Sequence, residues 1–175
     1  MNLKPVLGGA MQRVDRPGSR FRIAVSFPPM VAETARIFVS RLLRAKSEGL
    51  QIPFPLPVPQ GSPGTPIVDG AIPSGTTLPV RGGQANYRWR EGYWLSIEDG
   101  SGQHYLHNIA AVGALDANGD GDIPIWPMLR APFNDGAKVH LARPMIQGLP
   151  LGDETSWVMP VSRLFALAVT IEETE

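Results

Sequence analysis

The chain contains no cysteine, so disulfides and thiolate metal sites are excluded. A fold of 175 residues must then be held by its core, and that length suits one domain or one domain with a small appendage. Net charge is also missing: Lys+Arg and Asp+Glu both number 16. Such a balance gives no whole-molecule field to attract nucleic acid or an anionic membrane. Lysine is scarce, appearing only at Lys4, Lys46 and Lys138. The other basic residues are arginines, whose bidentate fork suits interfaces, although a GC-rich coding sequence gives the same bias. No apolar run approaches the ~20 residues that span a bilayer. The opening segment, Met1 to Arg20, has an apolar stretch too short and broken for a signal-peptide core. The expectation is a soluble protein made in a cytoplasm, with no membrane partner.

What is present is mostly β pattern. Residues 1–20 read as an irregular arm, broken at Gly8-Gly9 and Pro17-Gly18. Phe21, Ile23, Val25 and Phe27 then alternate as one face of a half-buried strand. After Pro28-Pro29 the period changes, and residues 30–48 predict the one helix of the chain. Its stripe is Val31, Ala35, Phe38, Leu42 and Ala45, widened by Val39 and Leu43. Gly49 is placed to end it. Residues 53–66 hold too many prolines for regular structure and predict an extended crossover with Phe54, Leu56 and Val58 packed. A PxxP ligand is the other reading of that segment.

Short strands separated by Gly-rich turns follow, at 77–81, 93–98, 103–112, 122–126 and 138–142. A last strand is expected over 163–172, with Phe165, Leu167, Val169 and Ile171 on one face. It should pair with the first and close the fold around the middle segment. The fold class is therefore mainly β (α+β): an antiparallel β-sandwich or barrel with one amphipathic helix.

Candidate sites are few. Asp116, Asn118, Asp120 and Asp122 place oxygens at alternate positions, like the start of a calcium loop. The twelfth position is Pro127 rather than the bidentate Glu, and no helices flank the segment, so a tight β-turn is the better reading and no metal is expected. His104 and His107 fall on opposite faces of a strand and read, with His140, as ordinary strand histidines. Gly61-Ser62-Pro63-Gly64 has Pro where an oxyanion amide should follow. Gly8-Gly9 and Gly82-Gly83 lack the Lys and helix of a phosphate loop. Asp153, Glu154, Glu172, Glu173 and Glu175 read as solvated carboxylates. No catalytic residue and no cofactor is expected, so the chain is read as a non-enzyme.

Arg88, Trp89, Arg90, Tyr93 and Trp94 interleave cations and aromatics. That composition stacks bases or sugars, and it is equally that of a protein–protein hot spot. With neutral overall charge the protein interface is preferred. Pro127 should end a strand, Leu129 should enter the core, and Arg130 should hold the following loop. Its partners would be freed carbonyls or an acid across the Asp135-Gly136 hairpin.

The order of these parts carries a resemblance. A strand, a helix and a Pro/Gly crossover precede Val68-Asp69-Gly70-Ala71, Ser74-Gly75, Leu78 and Val80. Then come Gly92-Tyr93-Trp94-Leu95-Ser96-Ile97, Tyr105-Leu106-His107, Ile123 to Arg130 and Asp135-Gly136-Ala137. Over roughly Phe21 to Ile171 the chain resembles the distal-tail-type minor tail proteins of long-tailed, siphovirus-like bacteriophages. Gly75, Leu78, Val80, Gly82, Gly92, Ile97, Ile125, Pro127, Leu129 and Arg130 match that family's pattern, whereas Tyr93-Trp94 departs from it. The resemblance implies a β-rich domain over 21–175 with a β-barrel-like insertion at 67–144. It implies a virion structural protein, commonly a hexameric ring, joining the tail tube protein to baseplate hub and tail-tip proteins. DNA would only pass through the channel. A β-sandwich carbohydrate-binding module using Trp89, Tyr93 and Trp94, with calcium at Asp116–Asp122 as an option, is the alternative, and a small hydrolase is a third reading that lacks residues.

Overall fold

The computed structural model describes residues 20–152 and 164–174, together with the backbone of Asn2–Leu3 and Gln12–Arg13. The arm expected over 1–20 falls almost wholly outside these residues, as do Asp153, Glu154, Arg163 and Glu175. Strands β1 (Asn2–Leu3) and β2 (Gln12–Arg13) form an antiparallel pair. Strand β3 (Arg22–Ser26) turns Ile23 and Val25 inward and leaves Arg22, Ala24 and Ser26 exposed.

A short β4 (Met30–Val31) precedes the helix α1 (Ala32–Glu48). The helix begins later than the apolar period suggests because Met30 and Val31 pair with Phe165 and Leu164. Ala35 and Ala45 are its buried residues, Phe38 packs edge-on against Phe27, and Gly49 N–H closes the last turn on Ala45 O.

Strand β5 (Leu50–Pro53) leads into the central segment. There the chain forms β6 (Gly64–Val68), β7 (Thr77–Gly83), β8 (Arg88–Trp89), β9 (Trp94–Glu98) and β10 (His104–Ile109). It continues through β11 (Gly113–Ala114), β12 (Gly121–Trp126) and β13 (Lys138–His140). Six of these strands close a barrel in the order β10-β12-β7-β6-β13-β9. Closure removes free edges, and alternate side chains fill the interior. Val68, Leu78, Leu95, Ile97, Ile109 and Ile123 are wholly buried there.

The chain leaves the barrel through β14 (Met145–Pro150) and ends in β15 (Leu164–Phe165) and β16 (Ala168–Glu173). Strands β3-β16-β14-β5 form an outer antiparallel sheet. Strand β3 pairs with the last strand, β16, with Ile23 opposite Ile171. Strands β5 and β14 are neighbours, so the barrel is inserted between two adjacent strands of that sheet. At its base the incoming and outgoing connections are joined by Phe54 N–H to Pro144 O, 2.8 Å. A second core fills the seam: Leu106 from the barrel wall meets Ile146 and Ile171 of the sheet, with Phe21, Ile23, Ile52 and Trp94 around them.

Several expectations need correction. Pro53 ends β5 and Pro66 lies inside β6, so residues 53–66 are not wholly irregular. The β6–β7 register shifts between Gly64 and Ile67, and Pro66 sits in that irregular stretch, outside the regular ladder. Val58 is 62% exposed rather than packed. The last strand is broken into β15 and β16, and β5 and β14 were not expected at all.

Candidate functional site

A groove of about 860 Å³ lies where β8 and β11 pair on the flank of the barrel. Arg88, Arg90, Tyr93 and the 73%-exposed Val112 are among its lining residues. Trp89 also contributes but is only 3% exposed, and its indole N–H donates to Ala111 O at 3.1 Å. Gly113 lies flat on that indole, and a Cβ there would run into the ring. Of the five expected interface residues, three therefore line this groove at least partly exposed. Trp89 belongs to the barrel core. Trp94 points the other way, into the seam, with Phe54 and Phe21 at ring distances of 4.5 and 5.1 Å. This corrects the reading of Arg88 to Trp94 as one surface: residues on a strand alternate sides, so Tyr93 and Trp94 cannot share a face. The groove lining has no carboxylate, histidine or lysine. Tyr87, whose hydroxyl donates to Gln60 O at 2.6 Å, is pushed up to about 12 by burial and is no proton donor near neutral pH.

Asp116 Oδ1 accepts from the N–H groups of Asn118 and Asp120, at 2.8 and 2.9 Å. These amides hold its carboxyl below the usual range. Asp120 Oδ1 faces Gly82 N–H at 3.3 Å. These contacts build the turn itself.

Three features were missed in whole or in part by sequence reasoning, which expected a holding role for Arg130 but not its partner. The first is Glu98, His104 and His140, on adjacent strands β9, β10 and β13. Their ligand-type atoms all lie within 4.8 Å of one another. His140 Nε2 is 2.8 Å from Glu98 Oε2, and Lys138 Nζ donates to Oε1 at 2.9 Å. Lys138 and then His140 hold the Glu98 carboxyl below its ordinary value, while burial followed by repulsion from His140 lowers His104. Sequence reasoning compared histidines along one strand, whereas this cluster forms across strands through register, Glu98 standing opposite both His104 and Lys138.

The second is Arg130 with Glu173, both almost fully buried. The guanidinium forks onto the carboxylate at 2.6 and 2.9 Å. Arg130 Nη2 also donates to Leu106 O, while Glu173 accepts from the N–H groups of Leu106 and Phe21. Arg130 therefore does not reach Asp135, which pairs with Arg81 instead. Nor is Glu173 a solvated terminal carboxylate. Pro127 follows a cis bond after Trp126, and its carbonyl accepts from His107 Nδ1–H at 3.0 Å. Leu129 is buried in the barrel core. His107 is wholly buried, and desolvation followed by the Arg130 charge pushes it down to about 4.

The third is Gln60, 4% exposed. Its carboxamide accepts from Trp94 N–H at 2.7 Å and donates to Trp94 O and Leu141 O at 2.7 and 2.5 Å.

No protein-family model matches the chain, and no curated protein matches it. Among the described residues no helix is long and apolar enough to cross a membrane.

Proposed function

We propose that this chain is a structural protein of a long-tailed phage tail tip, forming a closed ring that connects the tail tube to the baseplate hub. The supporting observation is the closed barrel inserted between neighbouring strands of an outer sheet that carries helix α1. That is the order of parts behind the resemblance. The helix and sheet also leave apolar residues uncovered: Val31 is 57%, Ile37 48%, Leu43 49% and Leu164 48% exposed. Val31 and Leu164 pair directly across β4 and β15. Apolar surface of this kind is what an oligomer buries, and a heterologous contact repeated by rotation closes into a ring.

In this reading the protein has no catalytic role and no cofactor. Its partners are further copies of itself, the tube protein and the hub or tail-tip proteins, and DNA passes in transit through the channel. It is made in the host cytoplasm and resides in the virion. The carbohydrate-module reading needs Trp89 and Trp94 on a shared open platform, whereas Trp89 is in the core and Trp94 in the seam. A hydrolase reading finds no nucleophile–base pair in the groove. Light scattering coupled to size exclusion tests the ring: a cyclic assembly, six-fold by the resemblance, should dissociate in Ile37→Glu/Leu43→Glu with the fold retained. A chain that is monomeric both alone and in its parent particle would overturn the proposal.

A further inference from the structure

We propose that Glu98, His104 and His140 form a site for a divalent cation of the zinc class, independent of the ring reading. Two imidazoles and one carboxylate are a donor set that zinc takes, with ligand distances of about 2.0–2.2 Å. Donors around a tetrahedral ion stand a little over 3 Å apart by the same geometry. His140 Nε2 and Glu98 Oε2, 2.8 Å apart, are already at that scale, and the set as a whole spans no more than 4.8 Å. Rotation about the side-chain bonds of the half-exposed Glu98 and His140 brings in the rest.

The backbone positions all three. Register puts His104 beside Glu98 and His140 beside Ser96, so the three side chains stand on the outer wall of β10, β9 and β13. His104 Nδ1 lies 3.3 Å from Ser96 Oγ, which itself accepts from Met145 N–H. That contact engages Nδ1, so Nε2 is the nitrogen left to bind an ion. An outer hydrogen bond on the second nitrogen is what a metal-bound histidine requires. Three protein ligands leave a fourth position for water, and the side chains of Glu98 and His140, 21% and 32% exposed, give that position access to solvent. The ion would tie β13 to β10 across β9. Strand β13 meets β6 at one register pair, Lys138 with Ile67, extended by Val68 N–H to Ala137 O and Gly136 N–H to Val68 O, so this short strand has little ladder beyond what it shares with β9.

The experiment is calorimetric titration of the chelator-treated full chain with Zn²⁺, and with Co²⁺ read by visible absorption. One equivalent should bind with micromolar affinity or better, and Co²⁺ should show the bands of a tetrahedral site. His104→Gln and His140→Ala should each weaken binding by more than the about tenfold of the weakest outer-shell change. Lys138→Ala should bind at least as tightly, since the ammonium competes for Glu98. Zinc should raise the melting temperature of the wild type but not of His140→Ala, which is a partly exposed side chain and retains the fold. No binding at millimolar Zn²⁺ would overturn the site. So would binding untouched by both histidine variants, or binding abolished instead by Asp120→Ala in the 116–122 turn.

Discussion

Inside the barrel each strand has a strand on both sides, and residues such as Leu78, Leu95, Ile97 and Ile123 pack into one buried apolar cluster. At the seam with the outer sheet the arrangement differs. Strand β12 pairs with β10 only at Asn108 and Ile109 and then turns away after Trp126. The edge of β10 from His104 to Leu106 is left to side chains: His104 N–H meets Gln147 Oε1, Leu106 N–H meets Glu173, and Leu106 O meets Arg130. At the far end of β9, where β13 has ended, Gln60 takes the N–H and C=O of Trp94. A buried backbone group must be paired, so wherever the ladder stops a polar side chain must arrive. The seam therefore carries buried polar contacts beside its apolar core, because the barrel strands outrun their partners.

The largest effect should come from breaking the ionic lock. Arg130→Ala leaves Glu173 charged and buried, and should cost about 3–5 kcal/mol, more than the about 1–3 kcal/mol of a loop-holding hydrogen bond. Arg130→Lys should recover only part of this, because the fork is lost. The double variant Arg130→Met/Glu173→Leu removes both charges. It should still be destabilised, since Leu106 and Phe21 N–H lose their acceptor. Denaturant melts of the three variants measure this. Full recovery in the double variant would mean that the β10 edge needs no cap.

Much of this was legible in the sequence, and the rest shows what pattern alone misses. The inward phase of Phe165, Leu167, Val169 and Ile171 continues by two residues to Glu173. The alternation thus places that carboxylate on the buried face, although its terminal position and charge argue for solvent. Strand β14 carries Gly148 and Pro150, residue types that weaken a strand pattern, and no strand was expected there. Gly148 is there because the strands lie close: a Cβ would strike the backbone of Glu172 and Glu173. The Glu98–His104–His140 cluster depends on register between strands far apart in sequence, which no local period encodes. Gln60 stands in a Pro/Gly-rich crossover with no feature that separates it from a solvated loop residue.

A second prediction sharpens the contrast through pH. His107 sits inside the barrel wall, neutral, with Nδ1–H on Pro127 O and no described partner for Nε2. Its folded value of about 4 lies below the ordinary 6.5. Below pH 6.5 the unfolded chain takes up a proton that the folded chain refuses, so stability should be full above 6.5 and fall as pH drops toward 4. The loss approaches about 3 kcal/mol. His104, also lowered, acts in the same direction. Carboxylates such as Asp135, pushed down to about 2 by Arg81 and then Gly70 N–H, add their loss only at lower pH. His107→Gln should flatten most of the slope between pH 6.5 and 4 in thermal melts. An unchanged slope would assign it to other groups.

The smallest of these effects should be at the neutral lock. Gln60→Met keeps the side-chain length and removes the carboxamide, leaving Trp94 N–H, Trp94 O and Leu141 O without it. One orphaned buried group costs about 1–3 kcal/mol, and the crossover that carries the replaced side chain can shift because Pro59 and Gly61 on either side of it are exposed. Gln60→Glu keeps the acceptor for Trp94 N–H but turns a donor toward two carbonyls into a charge, and should be worse than Met. Hydrogen exchange separates this lock from the ionic one. In Gln60→Met the Trp94 amide should exchange faster while the Leu106 amide keeps its protection, and in Arg130→Ala the order should reverse. If both amides lose protection together in either variant, barrel and seam open as one unit, and the two locks are parts of a single cooperative structure.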